Sequence, residues 1–232
     1  MGIRKGFTLA EVLITLMIIG IIAAMTIPSL MNNTNEQETV VAVKKAYSVL
    51  AQAYSRIFAE NGEIIPATLG ETETEATKTL GEMFAKYLNA QKVCGQEGGM
   101  DCLSTQNGGM YKNFDGSDWH NWNADTLYYK MTLADGMSLL IYGYNSFQDK
   151  GTSEPLQYVI GSLDIDINGD KKPNTKGKDV FAFWITRYGI VPIGTPDDTT
   201  GNINDCRVFG GGCTAWVVSK GNVDFWKHDV SW

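Results

Sequence analysis

The chain has 232 residues, 44% hydrophobic and 19% charged, with six tryptophans and a formal charge of −7. Disorder needs little hydrophobicity and much net charge, so this composition excludes it for the chain as a whole, and the 25 glycines are aperiodic, which excludes collagen. The acidic balance argues against a direct nucleic-acid partner, whose phosphates require clustered Lys and Arg.

Hydrophobicity is concentrated at the N-terminus. From Phe7 to Leu30 the only formal charge is Glu11. As a helix rising ~1.5 Å per residue, this run spans roughly 36 Å, enough for a hydrocarbon layer of ~30 Å. Arg4 and Lys5 stand immediately before it and the next cation is Lys44. The positive-inside rule therefore expects a cytoplasmic N-terminus, with the rest of the chain outside.

A secretory signal has an apolar core of about 7–15 residues and a small-x-small cut site. This run is longer, and Ile21 and Ile22 stand two positions upstream of Ala23 and Ala24. A plain signal anchor matches the length but leaves Glu11 unexplained. A carboxylate near mid-span costs ~2.5–3.5 kcal/mol on insertion scales, and a helical span is expected to offer it no partner nearby in the chain. Cutting between Gly6 and Phe7 would create an α-ammonium four residues before Glu11. With subunits stacked at an axial offset, Glu11 of one meets the Phe7 amine of the next, and low dielectric strengthens the attraction. Such a pairing fixes register more than it adds net stability.

The stretch Arg4-Lys5-Gly6-Phe7-Thr8-Leu9-Ala10-Glu11-Val12-Leu13 resembles the prepilin leader and first helical residues of type IV pilins and type II secretion pseudopilins. Gly20 and Pro28 fall where that family weakens or kinks its long helix. The resemblance implies that residues 1–6 are a leader removed by prepilin peptidase and that Phe7 is then N-methylated. Residues 7–31 would hold the protein in the inner membrane and later form the filament core. Residues 32–232 would form a periplasmic or extracellular head. The implied partners are other pilin or pseudopilin subunits, the peptidase and an inner-membrane assembly platform, with Glu11 and Phe7 as the assembly pair. Secretion, adhesion, motility and DNA-uptake filaments share this N-terminus. The alternative is a membrane-anchored extracellular binding domain for a carbohydrate or protein ligand, with the anchor uncleaved.

Beyond the apolar run, Val40, Val43, Tyr47, Leu50, Tyr54 and Ile57 follow 3-4 spacing and predict one buried helix face, which Phe58 widens. Asn61-Gly62 suits a C-cap and Pro66 forbids continuation. Phe7 to Asn61 thus reads as one nearly continuous helix, with Gly20 and Pro28 as bend points. The 32–61 part belongs with the head. Residues 63–78 read as a loop, Glu75 to Asn89 as a short helix with Leu80, Phe84, Tyr87 and Leu88 on one side, and 94–126 as a long irregular connection. Leu127–Leu133 and Met137–Tyr144 predict a hairpin around Ala134-Asp135-Gly136. Val159–Ile167 and Val180–Ile193, broken at Gly189, supply further strands, and Ala215–Val218 a weak fifth. A long helix packed on an antiparallel sheet is an α+β fold, the class the family resemblance also implies.

Cys94, Cys102, Cys206 and Cys213 lie on the side where disulfides persist. Each close-spaced pair brackets a Gly-bearing loop, which favours Cys94–Cys102 and Cys206–Cys213 among three connectivities. Spacings of eight and seven do not match a zinc knuckle. In the acidic stretch, Asp164, Asp166, Asn168 and Asp170 alternate, with Gly169 at a turn, as in the first half of an EF-hand loop. Thr175 stands where the bidentate Glu belongs, Pro173 opposes an exiting helix, and Asp179 is available to close a site. Two readings stand: a Ca2+ loop, and a strand with Leu163, Ile165 and Ile167 inward and the acids outward, ending in an Asn-Gly turn. No other cofactor is implied. His120 and His228 lack partners at metal-ligand spacing and no G-x-S-x-G, H-E-x-x-H or P-loop occurs, so the chain is not read as an enzyme. Trp184 and Tyr188 are expected in a strand core. Trp119, Trp122, Trp226 and Trp232 are either core residues or platforms for a ligand.

Overall fold

A computed structural model describes residues 6, 8–97, 103 and 106–232. The chain divides into two units, Met1–Glu38 and Thr39–Trp232. Helix α1 runs from Leu9 to Asn61, through both Gly20 and Pro28. In the first unit, Leu9–Pro28 is long and apolar enough to cross a membrane. Val12, Ile14, Leu16, Met17, Ile19 and Ile22 point to all sides and are exposed, so the surface is apolar all round, as in a helix solvated by lipid or by other helices. Three threonine hydroxyls are satisfied by the helix itself: Thr15, Thr26 and Thr34 donate to the carbonyls of Glu11, Ile22 and Leu30.

In the second unit, Val43, Leu50, Tyr54 and Ile57 are buried along one face of α1. Ala46 and Ala53 complete that face, whereas Phe58 is 48% exposed. Phe58 follows Ile57 by one residue, about 100° around the helix, so it turns away from the core instead of widening the stripe. Tyr47 stacks on Phe183 with ring centres 5.9 Å apart, and the Tyr54 hydroxyl donates to the Arg187 carbonyl at 2.7 Å. The predicted 63–78 loop contains a helical turn, α2 (Pro66–Leu69), and the start of α3 (Glu73–Tyr87). Thr72 and Glu75 form a reciprocal capping box that starts α3 at Glu73. Leu80, Phe84 and Leu88 are buried.

Strands β1 (Ala90–Gly95), β4 (Tyr129–Leu133), β5 (Ser138–Gln148), β6 (Val159–Asp166), β7 (Val180–Thr186) and β8 (Gly189–Pro192) form one sheet in the order β1-β4-β5-β6-β7-β8. All neighbours are antiparallel. The fold is α+β and pilin-like. One sheet face carries Leu139, Ile141, Leu163, Ile165, Phe181 and Phe183 into the main core with the buried face of α1.

The other face is not left to solvent. A second sheet of β2 (Met110–Lys112) and β3 (Asp118–Asn121) lies within the segment expected to be irregular. Two further apolar clusters cover the outer face: Tyr111 and Trp122 with Leu140 and Val180, and Leu156 and Ile193 with Ala182 and Trp184. A one-turn helix α4 (Glu154–Gln157) precedes β6, and α5 (Cys206–Phe209) and α6 (Thr214–Lys220) follow the sheet. Ala215–Val218, expected as a strand, lies inside α6. A short apolar run does not by itself separate strand from helix, and Gly221 at φ +69 ends this one as an αL cap. Tyr188, expected in the core, is 51% exposed at the β7–β8 turn.

Candidate functional site

At the N-terminus Gly6 is exposed, and Phe7 lies outside the described residues. Thr8 donates its N–H and its hydroxyl to Glu11 Oε2, each at 2.9 Å, and the Glu11 N–H returns a 3.3 Å bond to Thr8 Oγ1. Thr8-x-x-Glu11 is therefore a capping box. It corrects the expectation that a helical span offers Glu11 no nearby partner. The partner is one turn upstream, where the helix begins.

The acidic stretch continues from β6. Asp164 and Asp166 share the face opposite Leu163 and Ile165, as strand alternation requires. Both are nonetheless buried, Asp166 fully, because β2, β3 and the 174–179 turn cover that face. Asp166 Oδ2 accepts from the Tyr111 hydroxyl at 2.8 Å, and Oδ1 accepts from the N–H groups of Asn168 and Gly169 at 3.1 and 2.9 Å. Gly169 sits at φ +66, with the Gly136 carbonyl oxygen 2.2 Å from where a Cβ would stand, so no other residue fits. Asp179 is the second hub: it accepts from the N–H groups of Asn174 and Thr175 and, at 3.4 Å, from the Asn168 amide. Thr175, at the position of the missing Glu, is thus held by its backbone.

The structure brings Asp166, Asn168 and Asp179 together. It leaves Asp170 exposed and turns Asp164 toward Lys176, 3.6 Å away. Among the described residues no group of three or more His, Cys, Asp and Glu side chains is placed to hold a metal ion. The electrostatics are those of covered carboxylates. Burial, then the neighbouring charge of Asp179, pushes Asp166 well above the carboxylate range. Burial raises Asp179 to about 6 against its backbone hydrogen bonds. Burial also raises Asp164, opposed by Lys176.

Cys206 and Cys213 are disulfide-bonded and both buried. Cys94 is disulfide-bonded as well, while Cys102 lies outside the described residues. Trp122 is fully buried. Trp226 and Trp232 are pinned by Nε1–H bonds to the carbonyls of Gly177 and Gly194. Trp119 is half-buried beneath the Lys176 ammonium, 3.6 Å from its ring centre. His120 pairs with Asp125 five residues on, across the turn that ends β3. The sequence hides that pair, because its spacing is neither helical nor strand-like.

Residues 1–27 match the family model described as the prokaryotic N-terminal methylation motif. No curated protein and no solved structure matches the chain.

Proposed function

We propose that this chain, whose first 27 residues carry the type IV pilin and pseudopilin signature, is a structural filament subunit made as a precursor. In this reading prepilin peptidase cuts after Gly6 and Phe7 becomes the N-methylated first residue. The apolar part of α1 then passes from the inner membrane into a filament core. The observation that carries the proposal is a single carboxylate, Glu11, at the head of the otherwise uncharged, exposed stretch Leu9–Pro28 of α1, nearly all of it within the matched segment. Lipid solvates the apolar surface before assembly, and helices of neighbouring subunits replace it afterwards. Gly20 and Ala24, four residues apart, allow close helix approach. The acidic heads repel at distance, which suits a filament held by its helical core.

Intact-mass spectrometry of the protein extracted from its native membrane tests the reading. A chain beginning at N-methylated Phe7 supports a processed subunit. A chain retaining Arg4 and Lys5 would overturn it in favour of an anchored extracellular domain.

A further inference from the structure

The outer face of the sheet holds a cleft between the two apolar clusters that cover it. Its volume is 360 Å³, within the range of small-molecule sites. The floor follows from strand register. Asp164 on β6 stands opposite Ala182 on β7, and the alanine methyl leaves the space above the carboxylate open. One register step away, Ser162 stands opposite Trp184. Trp184 and Tyr144 form one wall, Trp119 and Tyr128 the other, and Phe209, carried on the Cys206–Cys213 loop, lies at the mouth.

These groups are set before any ligand arrives. The Trp184 Nε1–H donates to Asp198 Oδ2 at 2.8 Å, which fixes the indole. Lys176 is held by cation–π contact with Trp119 and by its charge pairing with Asp164. Asp164 is only 7% exposed, and its buried Oδ1 faces the Lys176 ammonium across 3.6 Å with no shorter hydrogen bond. A buried acceptor met by nothing closer than that ammonium is costly, and the residue that carries it borders the cleft.

The chemistry of the ligand follows by exclusion. Asp164 and Asp205 in the lining disfavour an anion. A cation would compete with Lys176, which already meets both the carboxylate and an aromatic face. An all-apolar ligand would cover the Asp164–Lys176 pair without offering either group a hydrogen bond. A neutral polyhydroxylated ring satisfies every group. Its C–H faces pack on the aromatic walls, and two adjacent hydroxyls meet an acceptor and a donor 3.6 Å apart, Asp164 and Lys176. We propose that this cleft binds a carbohydrate, with Asp164 and Lys176 reading a vicinal diol between aromatic walls. The proposal does not depend on leader processing, so the two fail separately.

The test uses the full-length protein in nanodiscs free of glycoside detergent. Glucose, galactose, mannose, N-acetylglucosamine, cellobiose, maltose and chitobiose are titrated by saturation-transfer NMR and tryptophan fluorescence, with tetraglycine as a non-sugar probe. The expected result is saturable binding of at least one sugar and none of tetraglycine. Asp164→Ala should weaken that binding about 10- to 100-fold, the loss of one charge-assisted hydrogen bond. Should that variant fail to fold, Asp164→Asn and the surface change Phe209→Ala replace it, each with an unchanged melting temperature and weaker binding. No saturable sugar, equal binding of tetraglycine, or affinity unmoved in the folded variants would overturn the proposal.

Discussion

Thr8 gives both its backbone N–H and its hydroxyl to one carboxylate oxygen of Glu11, each across 2.9 Å. The bonds are charge-assisted and sit where the helix dipole favours an anion. Glu11 thus has two possible uses, capping its own helix and pairing with the amine of a neighbouring subunit. Glu11→Gln separates them, because glutamine keeps the acceptor for Thr8 and removes the charge. If the charge sets subunit register, Glu11→Ala and Glu11→Gln should both be cut after Gly6 and both fail to form filaments. Mass spectrometry reads the cut, and electron microscopy of sheared cells reads the filaments. Normal filaments from Glu11→Gln would reduce Glu11 to a cap.

The Thr8-x-x-Glu11 spacing is itself a capping-box signature, which the surrounding apolar run masks because a carboxylate there is costly. Periodicity served well where one face is buried against a regular layer: Val43, Leu50 and Ile57 show the 3-4 spacing and are all fully buried. It failed where burial comes from irregular chain. Nothing in Asp164-Ile165-Asp166 signals that its acidic side is covered, because the cover is β2, β3 and the 174–179 turn, segments without apolar period. The cleft was illegible for the same reason. Its walls come from residues 119, 128, 144 and 184, which only strand register and the covering hairpin bring together.

Asp166 and Asp179 predict a pH dependence. Their folded pKa values are raised, Asp179 to about 6, so the folded state binds more protons than the unfolded one. Stability from this pair is therefore greatest below about pH 4 and is lost as pH rises through about 6. Asp166→Asn retains acceptors and removes one charge. In EDTA, its melting temperature relative to the native protein should climb from pH 4.5 to pH 7.5. A flat difference would show that the pair does not titrate as a unit.

A cation can take the proton's place. Asp166, Asp179 and the buried, unbonded Oδ1 of Asn168 are oxygen donors of the kind Ca2+ accepts, and we propose weak Ca2+ binding there, without Asp164 or Asp170. Millimolar Ca2+ should then raise the melting temperature by mass action, more at pH 7.5 than at pH 5, and not in Asp166→Asn. Absence of any rise at 10 mM would remove Ca2+ and leave the proton dependence standing.

The Cys206–Cys213 bridge closes a short loop, for which chain entropy gives ~2–3 kcal/mol. Replacing both cysteines by serine should lower the melting temperature by roughly 4–12 °C for a head of this size. Because the loop carries Phe209 to the mouth of the cleft, sugar affinity should fall in the same variant at temperatures where it remains folded. Lost stability with intact affinity would place Phe209 outside the recognition surface.

Leu50 and Phe58, eight residues apart on α1, test which face of the helix the head uses. Leu50 is fully buried and Phe58 is 48% exposed. Leu50→Ala should cost about 2–5 kcal/mol through lost burial and the cavity left behind, read as a lower urea midpoint at unchanged slope. Phe58→Ala should stay within about 0.5 kcal/mol, as for an exposed position. Equal costs would mean that the helix is rotated relative to the face described here. If Phe58→Ala leaves stability intact but reduces filament yield, the ring is covered only on assembly, and an aromatic that contributes nothing to the isolated head acquires a role between subunits.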